Sequence, residues 1–408
     1  MASPRRSPKK PATGTVSARS VPARNIPARR VPARTSAVRV PPQIGPLPRR
    51  RTSRLADGLG LIAGVGALAA AGIAAGLELE RRIVAKRIHR EQGDEGEEFF
   101  TLRSDGPVVA TPDGVVLHTE VDEADPRQPG FVDDGLTLVF VHGYALSLDC
   151  WHFQRKHFRG AIRQVLYDQR SHGRSGRSEA SRCRIPQLAE DLSQILDEVA
   201  GTGPVILIGH SMGSMTIMRL AQQHPEWFGD RVRGVALFST SAGEMADHSP
   251  IKGIPGRSFN RIAEPMLATL NRLPELVEKS RKAGSDIGYV VTRRMSFGSD
   301  VPPSYVEFMS QMLGDMPLDV VADFYPAFSE LDEFVAFRVL SRVEAAVVGG
   351  IDDVITPIRY TDKIIEHLPG AESLRLEECG HMGIIEHHVQ FNQVLDQLVQ
   401  RVRRHLHD

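Results

Sequence analysis

The 408-residue chain is 41% hydrophobic, which suffices for a sizeable core in one large domain or two average ones. Its zero formal net charge is a cancellation: residues 1–54 carry 14 Lys/Arg and no Asp/Glu, and the remainder carries 36 basic and 50 acidic residues. Three cysteines, Cys150, Cys183 and Cys379, exclude a disulfide framework, and no companion ligand pair at zinc spacing joins Cys379 and His381.

Residues 1–54 form a Pro/Arg/Ser/Ala-rich arm with a repeated "[VI]PAR" unit. Such a segment cannot bury enough apolar area to offset ordering, so disorder is expected. Its charge suits an anionic membrane lipid; nucleic acid is the weaker expectation. The run "GLGLIAGVGALAAAGIAAGL" at 58–77 holds no charge, and thirteen of its twenty residues are Gly or Ala. Twenty residues reach about 30 Å as a helix, so residues 55–78 are expected to be a transmembrane or membrane-associated helix. An Ala/Gly helix packed on protein and a cleaved signal are the alternatives. Five Arg/Lys on each side leave its orientation undecided. Residues 79–97 read as a charged helix or linker. Membrane association is therefore expected, with a cytoplasmic location as the alternative.

From residue 98 the pattern changes. "FFTLRS" and "GVVLHTEV" alternate like antiparallel strands joined through "TPDG". Continuous apolar runs follow at 137–143, 163–168, 204–210, 232–239, 343–350 and 372–378, suited to strands buried on both faces. Amphipathic stretches such as "QLAEDLSQILDEV" at 187–199 lie between them. This alternation predicts an α/β fold with a mostly parallel, doubly wound sheet. The expected division is a first core part at 98–240, a helical cap at 241–341 and a second core part at 342–408. The cap stretch holds six of the eleven methionines.

Ser211 follows the run at 204–209 and precedes a helix-like stretch, so it lies at a strand-to-helix turn. The elbow glycines Gly209 and Gly213 relieve crowding there. A serine hydroxyl needs a base, and the base needs an orienter. Asp353 lies at the end of the 343–350 strand, with Asp352 as the competing aspartate. Thr356 and Pro357 are expected as N-cap and first residue of the next helix. His381 lies in the loop after the last strand, whereas His387 and His388 read as helix-surface residues. The expected catalytic residues are Ser211, Asp353 and His381. The expected oxyanion hole is formed by the N–H groups of Tyr144 and Met212. His142 reads as loop packing, and Asp168 and Arg170 as braces.

With the order Ser211, Asp353, His381 and the loops "HGYALS" and "YDQRSHGRS", residues 98–406 resemble the α/β-hydrolase superfamily. Among its members the pattern is similar to the cap-bearing esterase, lipase and cofactor-free haloperoxidase-like group. Ser171 stands where that family commonly has glycine. The resemblance implies the α/β-hydrolase fold and a serine hydrolase that cleaves an apolar carboxylic ester through an acyl-enzyme. A haloperoxidase, perhydrolase or acyltransferase using the same triad is the first alternative. A non-catalytic ligand-binding protein is the second. The expected partner is a small apolar acyl ester; no cofactor and no metal are expected.

Overall fold

The computed structural model describes residues 97–250, 255–271 and 285–407, all within the compact unit Gly66–Asp408. A short hairpin pairs β1 (Val109–Ala110) with β2 (Val116–Leu117) across the "TPDG" turn. The main sheet has seven strands: β3 (Thr119–Asp122), β4 (Thr137–Val141), β5 (Arg163–Tyr167), β6 (Val205–His210), β7 (Val232–Phe238), β8 (Glu344–Gly350) and β9 (Glu372–Leu376). Their spatial order is β3-β5-β4-β6-β7-β8-β9. Only β3 is antiparallel to its neighbour. Strands β4 and β6 are buried at every position, as the apolar stretches 138–141 and 205–208 within them require.

Two hydrophobic layers sandwich this sheet. Val139, Leu207 and Val235 face one layer with Leu188 and Leu192 of helix α1 (Ile185–Ile195). Phe140, Ile208 and Ala236 face the other with Leu395 and Leu398 of the C-terminal helix His388–His407. This alternation of neighbouring residues between faces is the period of two that a strand imposes.

Between β7 and β8 the chain leaves the sheet and forms a helical cap. Its helices include α2 (Gly256–Asn271), α3 (Ser285–Ser296), α4 (Pro303–Asp315) and α5 (Leu318–Phe324). The ends of this insertion meet: the Glu333 N–H donates to the Ala242 carbonyl at 2.7 Å, and Gly243 bridges Asp332.

Two sequence expectations change. "FFTLRS" forms no strand. Phe99 instead stacks on Phe308 with ring centroids 4.2 Å apart and meets Tyr305 and Phe153 edge-on. Aromatic packing against the cap outweighs the alternating pattern there. The membrane expectation is also corrected. Among the described residues no helix is long and apolar enough to cross a membrane. The expected helix at 55–78, like the basic arm and residues 79–96, lies outside the described residues. Its Gly/Ala content leaves little apolar side-chain area to favour lipid. The transmembrane and membrane-associated readings are not retained.

Candidate active site

Ser211 occupies the turn between β6 and the helix Met212–Gln223. Its backbone is strained, with φ 52° and ψ −118°. A non-glycine residue holds such angles only where its surroundings over-determine them. Here the Ser211 N–H donates to the Phe238 carbonyl at 2.9 Å, and the Thr240 hydroxyl donates to the Ser211 carbonyl at 2.9 Å. The flanking glycines are a steric requirement. A Cβ on Gly209 would lie 2.6 Å from the Ser214 nitrogen, and one on Gly213 would collide with the Val141 carbonyl.

Asp353 follows β8 and is 3% exposed. Its Oδ2 lies 2.8 Å from His381 Nδ1. Its Oδ1 accepts the N–H groups of Ile355 and Thr356, each at 2.8 Å. The Thr356 hydroxyl donates to Oδ2 at 2.7 Å. Burial alone would raise the Asp353 pKa; the His381 ring beside it and the Thr356 bonds hold it below the ordinary carboxylate value. Asp352 is exposed, and its N–H donates to the Cys379 carbonyl at 3.0 Å. The geometry thus brings Asp353, and not Asp352, to the histidine.

Thr356 is not the helix N-cap. The helix runs Ile358–His367, Pro357 is its N-cap, and no side chain caps it. The Thr356 hydroxyl is spent on Asp353 instead.

Ser211 and His381 line one cavity of about 350 Å³, and each is under a tenth exposed. No hydrogen bond joins their side chains among the described residues. The Met212 N–H opens the helix Met212–Gln223, where a helix leaves its first donors without internal acceptors. Tyr144 lies in the facing loop after β4 and lines the same cavity. Neither N–H has an acceptor among the described bonds. Cavity walls include Met215, Met245, Met295, Met309, Phe259 and Phe328. Three of these methionines (245, 295, 309) belong to the six at 241–341.

The bracing residues lie away from the cavity. Asp168 is buried and accepts the N–H groups of Leu148 and Arg174 at 2.7 and 2.8 Å. Burial pushes its pKa up to about 6 against those two bonds. Arg170 pairs with Asp191 and Asp113. Ser171 has φ 63°, a conformation that favours glycine, and its hydroxyl accepts the Ser178 N–H at 2.9 Å. His142 is buried, with Nδ1 2.7 Å from the Gly143 carbonyl and Nε2 accepting the Gln169 N–H at 2.9 Å.

Three further residues brace the site. Thr356 stands three residues after Asp353 and gives it both its N–H and its hydroxyl. His210 precedes the nucleophile candidate; its Nε2–H donates to the His381 carbonyl at 2.9 Å. Glu386 stands five residues after His381 and accepts three backbone N–H groups.

Only one grouping of metal-type ligand atoms occurs among the described residues: Cys379, Glu386 and His387, within 4.8 Å of one another. Its atoms are already engaged. Glu386 takes those three N–H groups, and His387 Nε2 lies 3.0 Å from the Glu378 carbonyl. Burial, first of all, raises the Cys379 thiol, which opposes the thiolate a metal needs.

A sequence profile described as alpha/beta hydrolase fold matches residues 137–388, more than half the chain. Similar relatives carry three different activities. A non-heme chloroperoxidase of Kitasatospora aureofaciens is 27% identical over 68% of this chain and 92% of the relative. A pimeloyl-[acyl-carrier protein] methyl ester esterase of Aeromonas hydrophila is 24% identical over 65% of this chain and 96% of the relative. The acetyltransferase component of the acetoin cleaving system of Pseudomonas putida is 26% identical over 67% of this chain, which spans only 65% of that relative. An enol-lactonase structure from Burkholderia xenovorans superposes with TM-score 0.56 at 20% identity, covering 72% of this chain and all of the other; this shows the fold alone. The chain belongs to the alpha/beta hydrolase fold family.

Proposed function

We propose that this chain forms an acyl-enzyme on Ser211 from a small apolar carboxylic ester. The carrying observation is the strained Ser211 elbow in one cavity with His381, whose other face is held 2.8 Å from buried Asp353. In this reading His381 takes the Ser211 proton as the hydroxyl oxygen attacks the acyl carbonyl. Asp353 holds the imidazole tautomer and stabilises its cation. The Met212 and Tyr144 N–H groups receive the oxyanion, at about 3–4 kcal/mol per donor. His381 then returns the proton to the departing alkoxide. The cap, 241–341, supplies much of the apolar wall for the acyl chain. Flexible methionines there suit medium or long acyl groups.

The acyl acceptor admits two readings. Water gives ester hydrolysis. Peroxide or an alcohol gives perhydrolysis or acyl transfer from the same intermediate. The chloroperoxidase and acetyltransferase relatives lend the second reading more support than the esterase lends the first. Fluorophosphonate labelling tests the intermediate. Labelling of wild type but not Ser211→Ala is expected; an unlabelled wild type would leave the non-catalytic reading. Esters of C2 to C12 acids, each with water, hydrogen peroxide or ethanol as acceptor, then separate the reactions by product. A best acyl group of two carbons, by more than tenfold, would overturn the apolar-acyl reading.

A further inference from the structure

The proposed base and its three nearest chain neighbours, residues 379–382, are each tied to a different part of the molecule. The Cys379 carbonyl accepts the Asp352 N–H at 3.0 Å, from the aspartate loop. The Gly380 N–H donates to Glu386 Oε2 at 2.7 Å. The His381 carbonyl accepts from His210 of the elbow at 2.9 Å. The Met382 N–H donates to the Ser296 carbonyl at 2.8 Å, at the end of cap helix α3. Glu386 extends this tie. The same carboxylate that holds Gly380 also accepts the N–H groups of Gly298 (3.2 Å) and Ser299, the cap residues just past α3. An ionised carboxylate makes stronger bonds to N–H donors than a neutral acceptor does.

The backbones are in contact where this occurs. A Cβ on Gly298 would lie 2.7 Å from the Cys379 carbonyl carbon, and one on Gly380 would lie 2.6 Å from the Gly298 nitrogen. Neither residue can carry a side chain without parting the two segments. The cap therefore reaches the histidine loop through its main chain, with the Glu386 carboxylate closing the joint from the side.

We propose that Glu386 is a positioning residue that locks the cap to the loop carrying His381, so that displacing the cap displaces the imidazole. The proposal rests on His381 acting as the base for Ser211. A misplacement of about 1 Å at a reacting group can cost roughly 100-fold in rate. A cap disturbance would then slow the chemistry at Ser211 as well as weaken substrate binding.

The test uses full-length wild type, Glu386→Gln, Gly298→Ala and the double variant. The first readout is the first-order constant for fluorophosphonate labelling of Ser211. Unlike the amount labelled, it does not change when part of the protein is unfolded. The second is hydrogen exchange in peptides covering 296–300 and 378–382. Glu386→Gln is expected to slow labelling roughly 10–100-fold and to lose protection in both peptides together. Gly298→Ala parts the same joint with the carboxylate intact, so it is expected to do the same. The double variant should be little worse than either, because both break one coupling. Labelling of Glu386→Gln within twofold of wild type, or multiplying effects in the double variant, overturns the proposal. If Glu386→Gln does not fold, Gly298→Ala alone decides by the same criterion. Should wild type itself fail to label, the Ser211 reading falls, and the exchange data judge the joint: protection lost in one peptide only overturns it.

Discussion

Thr356 donates twice to Asp353, its N–H to Oδ1 at 2.8 Å and its hydroxyl to Oδ2 at 2.7 Å. The hydroxyl also lies 3.3 Å from His381 Nδ1, so it sits beside the aspartate–histidine contact. Thr356→Val keeps the shape and the N–H but removes the hydroxyl donor. The buried carboxylate then loses a charge-assisted bond, a cost of about 1.5–3 kcal/mol. The expected outcome is a lower denaturant midpoint and a roughly tenfold fall in kcat/KM from a looser imidazole. Thr356→Ser should recover most of both. A Thr356→Val enzyme as active as Thr356→Ser would show that the hydroxyl does not position the pair.

Asp353→Asn should be far more damaging than Asp352→Asn. An amide at 353 favours the wrong imidazole tautomer, a defect worth roughly 10⁴ in kcat. Asp352 is exposed and contributes its backbone N–H, which the substitution leaves in place. Asp352→Asn is expected to stay within a few-fold of wild type in ester turnover. Equal losses in the two variants would place the orienting charge elsewhere.

The strain at Ser211 separates activity from stability. Ser211→Ala and Ser211→Gly should both lose turnover by roughly 10⁴–10⁶. Only glycine removes the Cβ that makes φ 52° costly. Strain of this kind is of order 1–3 kcal/mol, so Ser211→Gly should be more stable than Ser211→Ala by roughly 1 kcal/mol. Thermal melting of the two purified variants measures this. A glycine variant that melts at or below the alanine variant would mean the elbow is unstrained.

Three fully buried histidines make stability fall toward acid pH. Burial, first of all, pushes His142 and His210 down to about 3 and His172 down to about 4, against an ordinary value of 6.5. Below pH 6.5 the unfolded chain takes up protons that the folded chain refuses. Their full contribution is therefore present above pH 6.5 and is lost as the pH falls toward 4 and then 3. Each histidine contributes a slope of about 1.4 kcal/mol per pH unit inside its window. Urea unfolding at pH 7.5, 6, 5 and 4.5 should show a steep decline, and His172→Gln should reduce its slope by about one proton. A slope unchanged by that substitution would remove His172 from the account.

Much of the fold was legible because its signals are local. The runs at 137–143, 204–210 and 343–350 are apolar at neighbouring positions, as a strand covered on both faces demands, and each contains a parallel strand. The elbow was legible for the same kind of reason. Gly209 and Gly213 stand within two residues of Ser211, and the collisions that require them are short-range. Asp353 and His381 could be named from strand ends and spacing, but their 2.8 Å contact belongs to the folded molecule. "FFTLRS" carried a strand's alternation and lost it to Phe308, more than 200 residues away in sequence. Thr356 looked like a helix cap until a carboxylate three residues earlier claimed its hydroxyl. Glu386 carries no local sequence signal, since its partners are backbone N–H groups at 298, 299 and 380. Backbone donors look alike in every sequence. Burial pattern and steric need are written residue by residue, whereas the partner of a buried polar group is decided only when distant segments meet.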